Sequence, residues 1–176
     1  MLSRISGKQF GAAKLVKPVS TVINYPPFIS ENWLEGIKQI FDHVVNNRNQ
    51  GKAVVNMSLN WKLPGCTAAW RSKFKFVLQE LVAQGVSIIT GAGNEGRDRL
   101  DGWPALWAEP YRNGPPDIPE LLVIGAVDAN GILAVKSQIG QSVGLYAPGE
   151  RGTSCAALGG GIKTSAGTSI CTLSGS

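Results

Sequence analysis

The chain has a single histidine, His43, and three cysteines, Cys66, Cys155 and Cys171. Three is an odd number, the spacing is wide, and no Cys-x-x-Cys occurs. Neither a zinc cluster nor a dense disulfide framework is expected; one bridge with a spare thiol stays open. No apolar run approaches the ~18–20 residues of a membrane span, so no membrane partner is expected. Met1-Leu2-Ser3-Arg4-Ile5-Ser6-Gly7-Lys8 lacks the apolar core of a signal peptide. Charge is scarce as well. Charged residues are 16 % of the chain, with 17 Lys+Arg against 12 Asp+Glu and a net charge of +5. The bases are scattered, and only Arg71-Ser72-Lys73-Phe74-Lys75 forms a cluster. It falls on a helical pattern, where a solvated face is the ordinary reading, so no nucleic-acid partner is expected.

What the chain does have is apolar bulk and glycine. Hydrophobic residues are 43 % of 176, too many for a disordered tail. A chain of this length buries roughly 70 % of its unfolded surface and makes about one domain. Twenty-two glycines and ten prolines occur without a three-residue period, which excludes collagen and favours a glycine-rich globular protein.

Residues 15–23 read as a possible strand, stopped by Pro26-Pro27. Ser30 then reads as a helix N-cap. Trp33, Leu34, Ile37, Ile40, Phe41, Val44 and Val45 follow at the spacing of one buried helix face, and Gly51 is a plausible stop. Residues 53–58 read as a short buried strand. A second helix is predicted over 67–84 by Trp70, Phe74, Val77, Leu78, Leu81 and Val82, ended by Gly85. Further short strands are predicted at 86–90, 121–127, 132–135 and 143–146, with loops after Gly149. Strands without period-two alternation, separated by helices, predict an α/β fold with a parallel sheet and helices on both faces. Residues 91–119 break the rhythm with Trp103, Trp107 and several prolines, a loop long enough to be functional or an ordered insertion.

Single motifs carry little. Gly91-Ala92-Gly93-Asn94-Glu95-Gly96 matches G-x-G-x-x-G after a strand, yet no helical pattern follows to receive a pyrophosphate, so a dinucleotide cofactor is not expected. The sequon Asn56-Met57-Ser58 lies in a strand that reads as buried. His43 sits near the apolar stripe of the first helix, with no partner pattern around it, and reads as a partly buried helix residue.

Taken in order, four sets of residues say more. They are Val54-Val55-Asn56-Met57-Ser58-Leu59; the stretch 85–96 ending in Gly91-Ala92-Gly93-Asn94-Glu95-Gly96; Val123-Ile124-Gly125-Ala126-Val127-Asp128 with 137–140 and Ala147-Pro148-Gly149; and Ala166-Gly167-Thr168-Ser169. In this order and spacing the chain resembles the C-terminal two-thirds of a subtilisin-like serine protease catalytic domain. Residues 7–14 also resemble the stretch after that family's histidine helix. The resemblance implies one partial domain over 1–176, an incomplete subtilisin-like three-layer sandwich, and a polypeptide substrate. It makes Ser169 the nucleophile and Asn94 the side chain that donates to the oxyanion. It makes Ser58, Leu59, Asn60, Gly91, Ala92 and Gly93 the backbones that flank an extended substrate, which would add to them as a strand. In subtilisin, losing one oxyanion donor costs ~10²–10³ in rate. Some members bind calcium, but no ligand cluster here carries that over, so no metal and no cofactor are expected. Members are often extracellular.

The departures shape the expectation of activity. The family orders its triad Asp, His, Ser. No Asp precedes Asp42, no His-Gly-Thr occurs, and the family's usual Ser-Met-Ala-x-Pro gives way to Ser169-Ile170-Cys171. Asn60 stands where the family usually has glycine. A serine without its base is a poor nucleophile, and in subtilisin loss of the histidine costs ~10⁶ in turnover. The chain alone is therefore expected to be inactive, with the N-terminal portion of a parent domain as the partner that would complete it. The rival expectation is a non-catalytic peptide-binding remnant.

Overall fold

The structure, a computed structural model, describes residues 5–8, 12–21, 30–62, 66–111, 114–150, 152–155 and 162–168. The first amphipathic segment forms α1, Ser30–Asn46, with Glu31 in its first turn, favourable to the helix dipole, and His43 in its last. Ile37 and Val44 are buried, while Trp33, Leu34, Ile40 and Phe41 pack against the same core. The helix ends before Gly51. Asn47 Nδ2 donates to the His43 carbonyl at 2.8 Å, and Arg48 takes a left-handed φ of 54°, which turns the chain out of the helix. Gly51 follows in the turn, and its N–H donates to the Gln84 carbonyl.

The second segment forms α2, Ala68–Ala83, within a residue of the predicted bounds. Thr67 caps it: its hydroxyl oxygen accepts from the Trp70 N–H at 3.2 Å. Trp70, Phe74, Leu78 and Leu81 form its buried stripe. Gly85 leaves the helix at φ +72°, and a Cβ there would meet the Gly51 backbone at 3.2 Å. The two helices pack on each other.

Four strands form one parallel sheet in chain order: β1 Val54–Met57, β2 Ser87–Gly91, β3 Leu122–Val127 and β4 Val143–Pro148. Alternate residues serve two faces. Val55, Met57, Ile88 and Val123 join the α1–α2 core, whereas Ile89, Ile124, Ala126 and Ala147 form a second cluster with Ala134. This is an incomplete α/β sandwich, as the strand and helix order predicts.

Three expectations need correction. Residues 132–135 make no strand: Leu133 forms one bridge to Val127, and Ile132, Leu133 and Val135 are exposed. The Asp128 carboxylate accepts the Asn130 and Ile132 N–H groups, a local turn that outcompetes sheet pairing. Residues 12–21 likewise contain no strand, and Leu15 is fully exposed; the rest of that predicted strand lies outside the described residues. Conversely, the glycine-rich region after Gly149 contains an antiparallel hairpin of β5, Gly152–Cys155, and β6, Ile162–Ser165.

The long break at 91–119 is an ordered insertion. It carries a 3₁₀ turn, Ala105–Ala108, and buries Leu100, Ala105, Trp107, Ala108 and Ile118 in the main core. Trp61 stands at the centre of that core, its ring 5.0 Å from Trp70 and 4.7 Å from Phe74, edge to face in each case. The basic cluster of α2 is engaged by the same insertion. The Arg71 guanidinium lies 4.5 Å over Trp103, and Lys75 pairs with Asp117 at 2.8 Å. Cys66 is a buried free thiol, pushed up in pKa by burial against a smaller opposing effect of Arg71.

Candidate functional site

The C-terminal ends of parallel strands are where an open α/β sheet leaves a crevice. Here β1 and β2 end side by side, fastened by the fully buried Thr90 hydroxyl, which donates to the Met57 carbonyl at 2.9 Å. Beyond Met57 the chain turns at once, Leu59 N–H returning to the Met57 carbonyl at 2.7 Å. The Ser58 hydroxyl donates to Asn56 Oδ1 at 2.8 Å. Beyond Gly91 the second strand opens into the loop of Gly93 and Asn94. Between them lies a cleft of about 120 Å³ lined by Ser58, Leu59, Asn60, Gly91, Gly93, Asn94 and Thr168.

Thr168 reaches this cleft from the far end of the chain. Gly167 N–H donates to the Gly149 carbonyl at 2.9 Å, just beyond β4. Asn94 Oδ1 then accepts the Thr168 N–H at 2.8 Å and its hydroxyl at 3.2 Å, across 74 positions of sequence. The same hydroxyl accepts the Gly93 N–H at 3.3 Å. Tying the Asn94 oxygen to Thr168 fixes which end of the amide is left as donor, the N–H₂ end. Two glycines make the approach possible. A Cβ on Gly91 would lie 2.8 Å from the Thr168 hydroxyl, and one on Gly167, at φ +139°, would lie 2.9 Å from Asn94 Oδ1.

Asn60 forms another part of the wall, packed against Gly93 and Gly102. Trp61 and Trp103 exchange backbone hydrogen bonds at 2.8 and 2.9 Å, which brings Gly102 against Asn60. A Cβ on Gly102 would overlap the Asn60 amide oxygen, and one on Gly93 would overlap the Gln138 carboxamide oxygen. Gln138 is fully buried, and its Nε2 donates to Asp101 Oδ1 at 2.6 Å and to the Arg99 carbonyl at 3.0 Å. Its Oε1 and Asn60 Oδ1 are both buried without a hydrogen-bond partner among the described residues. Asp101 also pairs through Oδ2 with Lys62 at 2.7 Å and Arg97 at 3.0 Å, and Lys62 reaches Glu95 at 2.9 Å. Burial opposes ionisation of Asp101, but the hydrogen bonds from Lys62 and Gln138 and the charges of Lys62 and Arg97 outweigh it, holding its carboxyl below the usual range. Burial likewise works against the Lys62 ammonium, and its bonds to Asp101 and Glu95 raise its pKa all the same.

Of the residues singled out from the sequence, Ser58, Leu59, Asn60, Gly91, Gly93 and Asn94 line one cleft. Ala92 does not line it; it is buried, with its N–H on the Ile124 carbonyl. Ser169 lies outside the described residues, next in sequence to Thr168. His43 is on α1, 3.3 Å by its Nδ1 from Asn47 Nδ2, and does not line the cleft. Sequence reasoning missed Thr168 as the anchor of Asn94, and the hydrogen-bonded network of Gln138, Asp101 and Lys62. A lone glutamine or aspartate in a loop has no local signature, and only its burial marks it.

Residues 10–175 match the Peptidase S8 subtilase family. Alkaline protease 1 of Aspergillus flavus is 27 % identical over 151 residues, which cover 83 % of this chain and 32 % of that protein. Subtilisin-like protease 2 of Trichophyton verrucosum is 27 % identical over 152 residues, 86 % of this chain and 32 % of that protein. Among solved structures, a cold adapted subtilisin-like serine proteinase superposes with a TM-score of 0.72 at 26 % identity, over 97 % of this chain and 55 % of that one. The chain thus spans about a third of the curated relatives it matches.

Proposed function

The chain belongs to the subtilase family, and from that premise we propose that it forms the substrate-binding and nucleophile-bearing part of a serine endopeptidase acting on polypeptides. Ser169 is the nucleophile, attacking the scissile carbonyl to give an acyl-enzyme. The Asn94 N–H₂ donates to the oxyanion that develops. An extended peptide adds its backbone along 58–60 and 91–93, between the ends of β1 and β2. One observation carries this reading: residues from three distant parts of the chain, chosen by their motifs, converge on one cleft, with Thr168 and Asn94 hydrogen-bonded across it.

The general base is the part these residues do not supply. The single histidine sits on α1 and does not line the cleft. A serine hydroxyl without an adjacent base is a weak nucleophile. The 176 residues by themselves therefore bind peptide without turning it over, and hydrolysis needs an Asp and a His from elsewhere.

A fluorophosphonate probe tests both statements. The 176-residue chain is expected to stay unlabelled, whereas a longer subtilase chain built to place an Asp and a His-Gly-Thr segment upstream of it is expected to label at Ser169, and Ser169→Ala to abolish that. Labelling of Ser169 in the 176-residue chain would overturn the missing base. Labelling of the longer chain at another residue would overturn the assignment of Ser169.

A further inference from the structure

The cleft is small, and one of its walls is a packed carboxamide. About 120 Å³ is less than the roughly 150 Å³ of an engineered cavity that takes benzene. Its lining is two hydroxyl residues, Ser58 and Thr168, two carboxamides, Asn60 and Asn94, and the glycines 91 and 93, with Leu59 the single apolar side chain. Among the described residues no ionisable group lines it. Lys62, Glu95, Asp101 and Arg97, close to the lining residues in sequence, are paired with one another. An ionised occupant would lose its hydration without gaining a counter-charge.

Asn60 is the most closely packed part of that wall. Its carboxamide is wedged between Gly93 and Gly102, its oxygen where a Gly102 side chain would begin and its Nδ2 2.9 Å from where a Gly93 side chain would begin. Its neighbour Trp61 is 7 % exposed and held by the Trp103 backbone and the Trp70 and Phe74 rings. The residue is half-buried, and its carboxamide lies beside the glycine wall of the cleft. Its buried, unpartnered Oδ1 means that the wedge is kept at a cost in hydrogen bonding rather than for one.

We propose that Asn60 is the specificity-determining residue of the cleft, limiting the substrate side chain that enters it to small uncharged ones such as those of alanine and serine. The proposal rests on the peptide-cleft reading above and adds the substrate class. Removing the Asn60 side chain opens the wall toward Gly93 and admits bulky residues.

The test is titration of the 176-residue chain with acetyl-Ala-Ala-Ala-X amides, X being Ala or Phe, followed by the backbone amide shifts of Gly91, Gly93 and Asn94. The unaltered chain is expected to bind the Ala peptide about tenfold or more tighter than the Phe peptide, and Asn60→Gly to erase or reverse that preference. Asn60→Ala, which keeps a Cβ and guards against loss of fold, is expected to fall between them. A Phe peptide bound as tightly as the Ala peptide, or a preference unchanged in both variants, overturns the role of Asn60 and leaves the peptide cleft standing. Binding of neither peptide to any form overturns the cleft reading, and this inference with it.

Discussion

Asp101 shows how much a single loop residue can hold. Its side chain is 10 % exposed and takes hydrogen bonds or ion pairs from Lys62, Arg97 and Gln138. Because its carboxyl is held below the ordinary value in the folded chain, it lends stability that is present above the unfolded carboxyl pKa of about 3.9 and is lost as pH falls through the folded one. Asp101→Asn is expected to lower stability at pH 7 on the order of 1–3 kcal/mol. The gap should close on acidification below about pH 4. Urea titrations of both proteins at pH 7 and pH 3 check the sign; a gap that persists undiminished at pH 3 would show that the carboxylate charge is not what counts. By contrast, the Lys75–Asp117 pair is largely solvated, and its removal should cost little. None of this is legible locally. Asp101 lies among Asp98, Arg97 and Arg99 in a charged loop, and nothing in that string tells the buried carboxylate from the solvated one.

At the scale of elements, periodicity was a sound guide wherever a long apolar stripe existed. α2 follows its pattern to both ends because Thr67 caps one and Gly85 turns away at the other. Thr67→Ala should therefore cost about 1 kcal/mol and Thr67→Ser restore it. Thermal unfolding checks this, and an unchanged midpoint would mean that the Trp70 N–H finds an equal partner in water. The short segments went less well. Residues 132–135 have the composition of a strand, yet the Asp128 side chain captures their backbone in a turn. The β5–β6 hairpin hides behind glycines, because its pairing of Gly152 with Ser165 and Cys155 with Ile162 is a long-range choice that composition does not record.

At the scale of the whole molecule, the cleft depends on the aromatic core beneath it. Phe74 is 1 % exposed and lies within 4.7 Å of Trp61, 5.1 Å of Trp70 and 6.2 Å of Trp107, ring centre to ring centre. Phe74→Ala is expected to destabilise the chain by about 3–5 kcal/mol. It should also speed amide exchange at Trp61 and Trp103, whose paired backbones hold the Asn60 wall. Denaturant unfolding with hydrogen exchange would show it; a large stability loss with exchange at those two amides unchanged would uncouple core from cleft. The insertion at 91–119 is what makes the coupling, since it carries Gly102, Trp103 and Trp107 from the edge of the cleft into the core.

The helices and the four sheet strands follow from the sequence alone, because apolar spacing is a local property that survives without coordinates, and six of the cleft residues were picked out by the family resemblance that the ordered motifs carry. The size of the cleft, the burial of Gln138 and of the Asn60 amide oxygen, the tether between Asn94 and Thr168 and the depressed Asp101 carboxyl were decided only by tertiary structure. Each depends on which residues distant in the chain come to fill the space beside a glycine or a charge, and that is settled by how the sheet, the two helices and the insertion pack together.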